Sequence, residues 1–135
     1  MRYMLDTSLC IALMRGKADA ALERLTRLQV DEAGISTITL SELFYGAAKS
    51  KRPGATQAQV RSLCAPLVIA PFDAAAAITS GDVRASLESR GRPIGPNDVL
   101  IAGHALSLGA IILTANVREF SRVPGLIVEN WLAKP

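Results

Sequence analysis

The chain has 135 residues, of which half are hydrophobic and a fifth are charged, and its formal net charge is +3. This composition suits one globular domain over residues 1–135 and excludes a disordered, repetitive or disulfide-rich chain. No apolar run is long enough to span a membrane, and no signal-peptide pattern is present, so we expect a cytoplasmic protein. The small positive charge permits an anionic partner such as nucleic acid without requiring one.

Short apolar segments alternate with amphipathic segments along the chain. Strands are predicted at residues 2–5, 34–36, 67–69, 110–113 and 126–128. Helices are predicted at residues 8–14, 18–28, 40–48, 55–64, 74–89, 97–108 and 117–120. Because helices separate the strands, we predict the α/β class, as a three-layer α/β/α domain with a central, mainly parallel sheet.

Several polar residues at the predicted helix starts have a purely local explanation as helix caps. Asp6 follows the first strand and would be an N-cap. Thr39–Glu42 matches a capping box with Thr39 as the N-cap, and Asn116–Glu119 looks like another cap. Asp98 falls in a first helical turn, where negative charge suits the helix dipole. Each residue taken alone is explained without any function.

The same residues are also expected to meet in one place. The strands of a parallel sheet end at one edge, and ligands bind in the crevice outside that edge. Asp6, Glu42, Asp98 and Asn116 all follow strand ends or lie near helix starts that open towards it. Crowded carboxylates repel one another, and a hard cation such as Mg²⁺, which prefers oxygen ligands, relieves the repulsion. The pattern therefore indicates metal-assisted hydrolysis of a phosphodiester.

Three segments carry a resemblance to a known family. They are MLDTSLCIALM, SELFYGAAKS and GRPIGPNDVLIAGHALSLGAIILTANVREFSRVPGLIVENW. In order and spacing they resemble the PIN-domain ribonucleases, specifically the VapC toxins of bacterial toxin–antitoxin pairs, over nearly the whole chain. The last segment is the most specific of the three.

The resemblance implies a role for each polar residue. Asp6, Glu42 and Asp98 would form an acidic metal site, with Asp6 and Asp98 as the most direct Mg²⁺ ligands and Mn²⁺ as a possible substitute. Asn116 matches the position where many PIN domains carry a fourth acid, and Glu119 is a candidate for the outer shell. Asp6, Glu42, Asp98 and Asn116 are thus the predicted catalytic residues, and the substrate-binding residues stay unknown.

The sequence departs from the family pattern after the first acid. The family usually has Asp-Thr-Asn, whereas this chain has Asp6, Thr7 and Ser8. We predict that Thr7 orients Asp6, and that Ser8 gives weaker support than an amide without abolishing activity.

The resemblance also implies partners and an activity. The family cleaves RNA, often in tRNA, is held inactive by a VapB-type antitoxin and commonly dimerises, so we expect a Mg²⁺-dependent endoribonuclease toxin that forms a homodimer. One alternative stays open, a PIN-like scaffold that binds RNA or protein without cutting. An aspartyl-phosphate phosphatase fits less well, because Ser8 and Asn116 stand where that chemistry needs an Asp and a Lys.

Three other residues near these segments admit two interpretations. Tyr45 and Lys49 share a helical face with Glu42 and could contact RNA, although a solvated face is the preferred interpretation. Trp131 is interpreted as a packing residue or a partner contact. We assign His104 no catalytic role.

Overall fold

Residues 1–132, which the computed structural model describes, form a layer of five strands between two layers of helices. The strands are β1 (Tyr3–Leu5), β2 (Ala33–Ser36), β3 (Val68–Ala70), β4 (Ile111–Leu113) and β5 (Val128–Glu129). The helices are α1 (Thr7–Met14), α2 (Asp19–Thr26), α3 (Thr37–Ala48), α4 (Pro53–Cys64), α5 (Ala74–Ser89), α6 (Pro96–Leu108) and α7 (Val117–Phe120). Every predicted strand and helix has a counterpart, although β5 overlaps the predicted segment 126–128 only at Val128.

The sheet has the order β3-β2-β1-β4-β5, and all of its neighbouring strands are parallel. β1 is the central strand, and its three residues pair with the three residues of β4. The predicted strand at 110–113 corresponds to β4, which lies in the interior of the sheet between β1 and β5. The predicted α/β/α class is therefore confirmed.

Two hydrophobic cores cover the two faces of the sheet. Successive residues of β1 point to opposite faces, so that Tyr3 and Leu5 join one core and Met4 joins the other. Helices α1 to α4 contribute to the first core, and α5, α6 and α7 contribute to the second. Gly103 allows the close approach of α6 to α5, because a Cβ atom there would lie 2.4 Å from the Cα atom of Ser80.

Several local predictions can be compared with the fold. Gly109 ends α6 in the left-handed conformation expected of a C-cap, with φ of 64°. Trp131 is buried and packs edge-on against Tyr3, which confirms the packing interpretation. Cys10 and Cys64 are free thiols. Among residues 1–132, no helix is long and apolar enough to cross a membrane.

The predicted start of α3 was wrong. Thr39 was expected to be the N-cap, but the helix begins at Thr37 and its N-cap is Ser36, whose Oγ accepts the N–H of Ile38 at 3.0 Å. Glu42 is therefore the sixth residue of α3 and does not belong to a capping box. Ser36 also contacts the buried His104, whose Nδ1 lies 2.8 Å from the Ser36 Oγ.

Candidate active site

The predicted site residues lie at the carboxyl edge of the sheet. Asp6 directly follows β1, and its N–H donates to the C=O of Leu113 at the end of β4. Asn116 lies just beyond β4, and Asp98 is in the first turn of α6. Glu42 is carried by α3, which begins where β2 ends. The parallel sheet thus brings four separate chain segments to one edge.

Asp6 is almost fully buried, at 2% exposure, and hydrogen-bonded at both oxygens. Its Oδ1 accepts the N–H of Leu9 at 2.9 Å, which confirms the predicted N-cap. The Ser8 hydroxyl lies 2.8 Å from both Oδ1 and Oδ2, and the Thr114 hydroxyl donates to Oδ2. Burial raises the pKa of Asp6, while the hydrogen bonds from Thr114, Leu9 and Ser8 oppose that shift.

Thr114 is a site residue that the sequence interpretation missed. Its fully buried hydroxyl donates to Asp6 and accepts the N–H of Asn116 at 2.8 Å. It therefore connects the acid after β1 to the segment after β4. Its position in the sequence could have identified it, because a hydroxyl residue directly after an apolar strand reaches the same edge of the sheet as Asp6.

Glu42 is held by Thr7 from the first turn of α1. The Thr7 hydroxyl donates to the Glu42 Oε1 at 2.6 Å and lies 3.3 Å from the hydroxyl of the buried Thr39. Thr7 was predicted to orient Asp6, and this assignment was wrong, because its hydroxyl points to Glu42. Glu42 does not cap α3, so helix capping does not explain this residue. Its side chain is bound by Thr7 instead.

Asp98 lies in the first turn of α6, as predicted, but its surroundings differ from those of Asp6. The N-cap of α6 is Gly95, which leaves room beside Asp98, because a Cβ atom there would lie 3.3 Å from the Asp98 Oδ2. Burial is the largest cause that raises the pKa of Asp98, and together with the charges of Asp6, Glu119 and Glu42 it brings that pKa to about 6. Asp98 is thus an acid held among other acids.

Asn116 and Glu119 form a pair beside Asp98. Asn116 occupies the N-cap position of α7 as predicted, but its side chain makes no capping bond. Its Nδ2 instead donates to the Glu119 Oε2 at 3.1 Å. The Glu119 carboxylate in turn contacts the Asp98 side chain, a contact that favours the protonated form of Asp98.

The donor set fits a hard divalent cation. Asp6, Glu42, Asp98 and Glu119 supply only oxygen atoms, and after burial the charges of the other three acids also raise the pKa of Asp98. Within residues 1–132, no three His, Cys, Asp or Glu side chains are already close enough together to hold a metal ion. The acids are therefore neighbours whose charges repel, which is the condition that a bound cation relieves.

Comparisons with known proteins decide the family. A family model described as the PIN domain matches residues 3–126. A tRNA(fMet)-specific endonuclease VapC of Shigella flexneri is 44% identical over 131 residues, which are 97% of this chain and 98% of the relative. Ribonuclease VapC2 of Rickettsia felis is 39% identical over 132 residues, with 97% and 98% covered. The chain belongs to the VapC family of PIN-domain ribonucleases.

Solved structures agree with this VapC fold. The toxin chain in a DNA-bound VapBC complex of Salmonella typhimurium superimposes with a TM-score of 0.92 at 43% identity, covering 97% of this chain and 98% of that one. A VapBC-1 structure from nontypeable Haemophilus influenzae gives a TM-score of 0.89 at 34% identity, with 98% and 100% covered. The resemblance seen in the sequence, to VapC proteins of toxin–antitoxin pairs, is thereby confirmed.

Proposed function

We propose that this VapC-family ribonuclease is the toxin of a toxin–antitoxin pair and cleaves tRNA in a reaction that depends on Mg²⁺, with Mn²⁺ as a substitute. The observation that carries the proposal is the set of mutually repelling carboxylates around Asp98, whose pKa is raised to about 6. A divalent metal requirement agrees with the general property of PIN-domain nucleases.

Each polar residue has a defined task in this proposal. Asp6, Asp98 and Glu42 would hold the metal, and Glu119 would belong to its outer shell. The bound cation would polarise the scissile phosphate and lower the pKa of the attacking water. Thr114 keeps the buried Asp6 carboxylate in one orientation, and Asn116 holds Glu119.

We propose tRNA as the substrate because a relative that is 44% identical over almost the whole chain is named a tRNA(fMet)-specific endonuclease. The initiator tRNA is therefore the first RNA to test. The positive net charge of the chain is compatible with a polyanionic substrate.

We propose that a VapB-type antitoxin binds in an apolar groove that leads to the acids. The groove runs between α1, α2 and α4, through a cavity of about 320 Å³ lined by leucines such as Leu22 and Leu25. An open cavity that includes Leu22 and Met14 joins it to a further cavity of about 240 Å³, which runs along α1 and α3 as far as Glu42. The exposed apolar lining of the groove, including Val30 at 85% exposure, is costly to leave in water.

The predicted homodimer stays a prediction that light scattering would test.

The proposed function is tested with purified, antitoxin-free protein and an initiator tRNA transcript. We expect cleavage in Mg²⁺ or Mn²⁺ and none in EDTA, and a loss of cleavage in Asp98→Asn while circular dichroism shows a folded chain. Asp82→Asn, a change of an exposed acid on α5, is the matched control and should cleave normally. Undiminished cleavage in folded Asp98→Asn and Asp6→Asn would contradict the proposed site. Binding of tRNA without any cleavage would favour the scaffold alternative.

A further inference from the structure

We propose that Tyr45 and Lys49 form an RNA-binding platform beside the acids, in which Tyr45 stacks on an unpaired base and Lys49 binds a neighbouring phosphate. This inference rests on the proposed RNA-cleaving function and assigns part of the substrate contact that the acids alone do not provide. The platform is defined as Tyr45 of α3 and Lys49, the C-cap residue that follows α3.

The platform lies on the same helical face as Glu42. Tyr45 and Lys49 follow Glu42 by three and seven residues, so the three side chains leave α3 within one narrow sector. Leu43 and Ala47, on the buried side of the helix, hold α3 against the core. An RNA strand that places a phosphate at Glu42 would therefore pass the platform along the helix.

Tyr45 is the one aromatic residue that the chain places in solvent. Its exposure is 64%, and all six aromatic residues of the chain lie within the described residues. The other five are buried or half-buried, and they are Tyr3, Phe44, Phe72, Phe120 and Trp131. A ring with exposed faces next to a phosphodiesterase site is suited to stacking on an unpaired base, which needs no particular base sequence.

Lys49 holds the Tyr45 ring in place before any RNA arrives. Its Nζ donates to the Tyr45 hydroxyl at 3.1 Å and lies 5.2 Å from the centre of the ring. The cation–π contact and the hydrogen bond reduce the rotamer freedom that both side chains would otherwise lose on binding. The pair is thus partly ordered for a ligand that has both an aromatic face and a negative charge.

Charge also favours RNA at this surface. The acids repel phosphates, so attraction has to come from cations outside the acid cluster. Lys49 is such a cation, and the exposed Lys51 and Arg52 follow it after Ser50. Positive charge is therefore concentrated where α3 ends, at the far end of the platform from Glu42.

The platform is separate from the groove assigned to the antitoxin. The cavity that reaches Glu42 is lined by Leu43, Gly46 and Ala47 of α3 and by Ser50 just beyond that helix. These residues lie on the opposite side of Glu42 from Tyr45, given the 100° rotation per residue of an α-helix. RNA and antitoxin thus approach Glu42 from two sides of α3.

The test separates RNA affinity from chemistry. In the cleaving protein, Tyr45→Ala should raise the KM for initiator tRNA by roughly tenfold with kcat changed by less than about twofold, as expected for one lost stacking contact. Tyr45→Phe, which keeps the ring, should stay within about threefold of the parent KM. Lys49→Gln should weaken binding and lower the slope of log affinity against log salt by about 0.7.

The binding constants are measured in an Asp98→Asn background, which removes cleavage. Ile78→Ala and Lys17→Gln change an exposed apolar residue and an exposed lysine elsewhere, and both should leave RNA affinity unaltered. An unchanged KM in Tyr45→Ala, or an equal loss in Tyr45→Phe, would overturn the inference. Weaker inhibition by the antitoxin without a change in RNA affinity would also overturn it, because Tyr45 would then be an antitoxin contact.

Failure of the inference differs from failure of the proposed function. If the parent protein cleaves tRNA and the platform variants keep its KM, the platform is wrong and the nuclease stands. If the parent protein does not cleave any RNA, the proposed function fails, whatever the platform variants do to RNA binding.

Discussion

Asp6 and Asp98 are two acids of one site with opposite surroundings. Asp6 is buried and hydrogen-bonded by a backbone N–H and two hydroxyls. Asp98 is half-buried beside Glu119, and its burial, together with the charges of its acidic neighbours, raises its pKa to about 6. The first acid is satisfied by the protein itself, whereas the second is left in a field of like charges.

The difference separates structural from functional roles. A carboxylate that caps a helix and accepts hydroxyl protons contributes to folding even without a ligand. A carboxylate that is crowded by other carboxylates and has few hydrogen-bond donors gains stability in its charged form from a bound cation. The site therefore combines two kinds of candidate metal ligand. Asp6, between β1 and α1, is held by hydrogen bonds, whereas Asp98 on α6 is surrounded by like charges. Substitution of these two residues should have different effects.

The largest expected effect comes from removing each acid in turn. Asp6→Ala and Asp98→Ala should each lower tRNA cleavage by roughly 10²–10³-fold, since each removes a ligand of the cation that would stabilise charge on the reacting phosphate. Only Asp6→Ala should also lower the free energy of unfolding, by about 2–3 kcal/mol, because the Leu9 N–H and the Thr114 hydroxyl lose their acceptor. Cleavage assays and urea unfolding in EDTA measure the two effects.

The control for this pair is Asp82→Ala, which should alter neither quantity. Equal losses of unfolding free energy in Asp6→Ala and Asp98→Ala would show that the two acids do not differ in their contribution to stability. Unchanged cleavage in either variant would remove that acid from the site.

The next effect in size comes from Thr114, which supports Asp6 alone among the acids. Thr114→Val keeps the shape but removes the hydroxyl that donates to Asp6 and accepts the Asn116 N–H. We expect a loss of about 1–3 kcal/mol in unfolding free energy and roughly 10- to 100-fold in cleavage rate. Thr114→Ser should recover most of both, and failure of that recovery would mean that packing, and not the hydroxyl, is what matters.

A smaller effect should appear in the pH dependence of the metal-free protein. Because the pKa of Asp98 is raised from 3.8 to about 6 on folding, the folded state binds a proton that the unfolded state has released between these values. The Tm measured in EDTA should therefore fall as pH rises from about 4 to about 6 through this group. Asp98→Asn should flatten that part of the profile, and an unchanged slope in this variant would assign the effect to other groups.

Much of the fold was predictable because the sequence marks the ends of its elements with polar or glycine residues. Asp6 ends β1 and caps α1, and Gly109 ends α6, so both boundaries were placed correctly. The start of α3 was misplaced because Thr39–Glu42 also fits a capping box. The tertiary contact between Ser36 and His104, 68 residues apart, cannot be seen in a local pattern.

The site shows the same division between local and long-range information. The acids that follow strands could be predicted, since parallel strands share one edge. The hydrogen-bond partner of Thr7 could not be predicted. Thr7 is adjacent to Asp6 in the sequence, but its hydroxyl donates to Glu42, which is 35 residues away. Thr114 was overlooked for the same reason, as its bond to Asp6 spans 108 residues.

The smallest expected effect concerns Ser8, where the chain departs from the usual Asn of the family. Ser8 has one hydroxyl proton shared between the two Asp6 oxygens, and Asp6 keeps the bonds from Leu9 and Thr114 without it. Ser8→Ala should therefore lower cleavage by only about 3- to 10-fold and unfolding free energy by less than about 1 kcal/mol. Ser8→Asn replaces the hydroxyl with an amide that can still donate to Asp6, and it should cleave at least as fast as the parent chain. A loss in Ser8→Ala as large as in Thr114→Val would show that the half-buried donor is as important to Asp6 as the fully buried one.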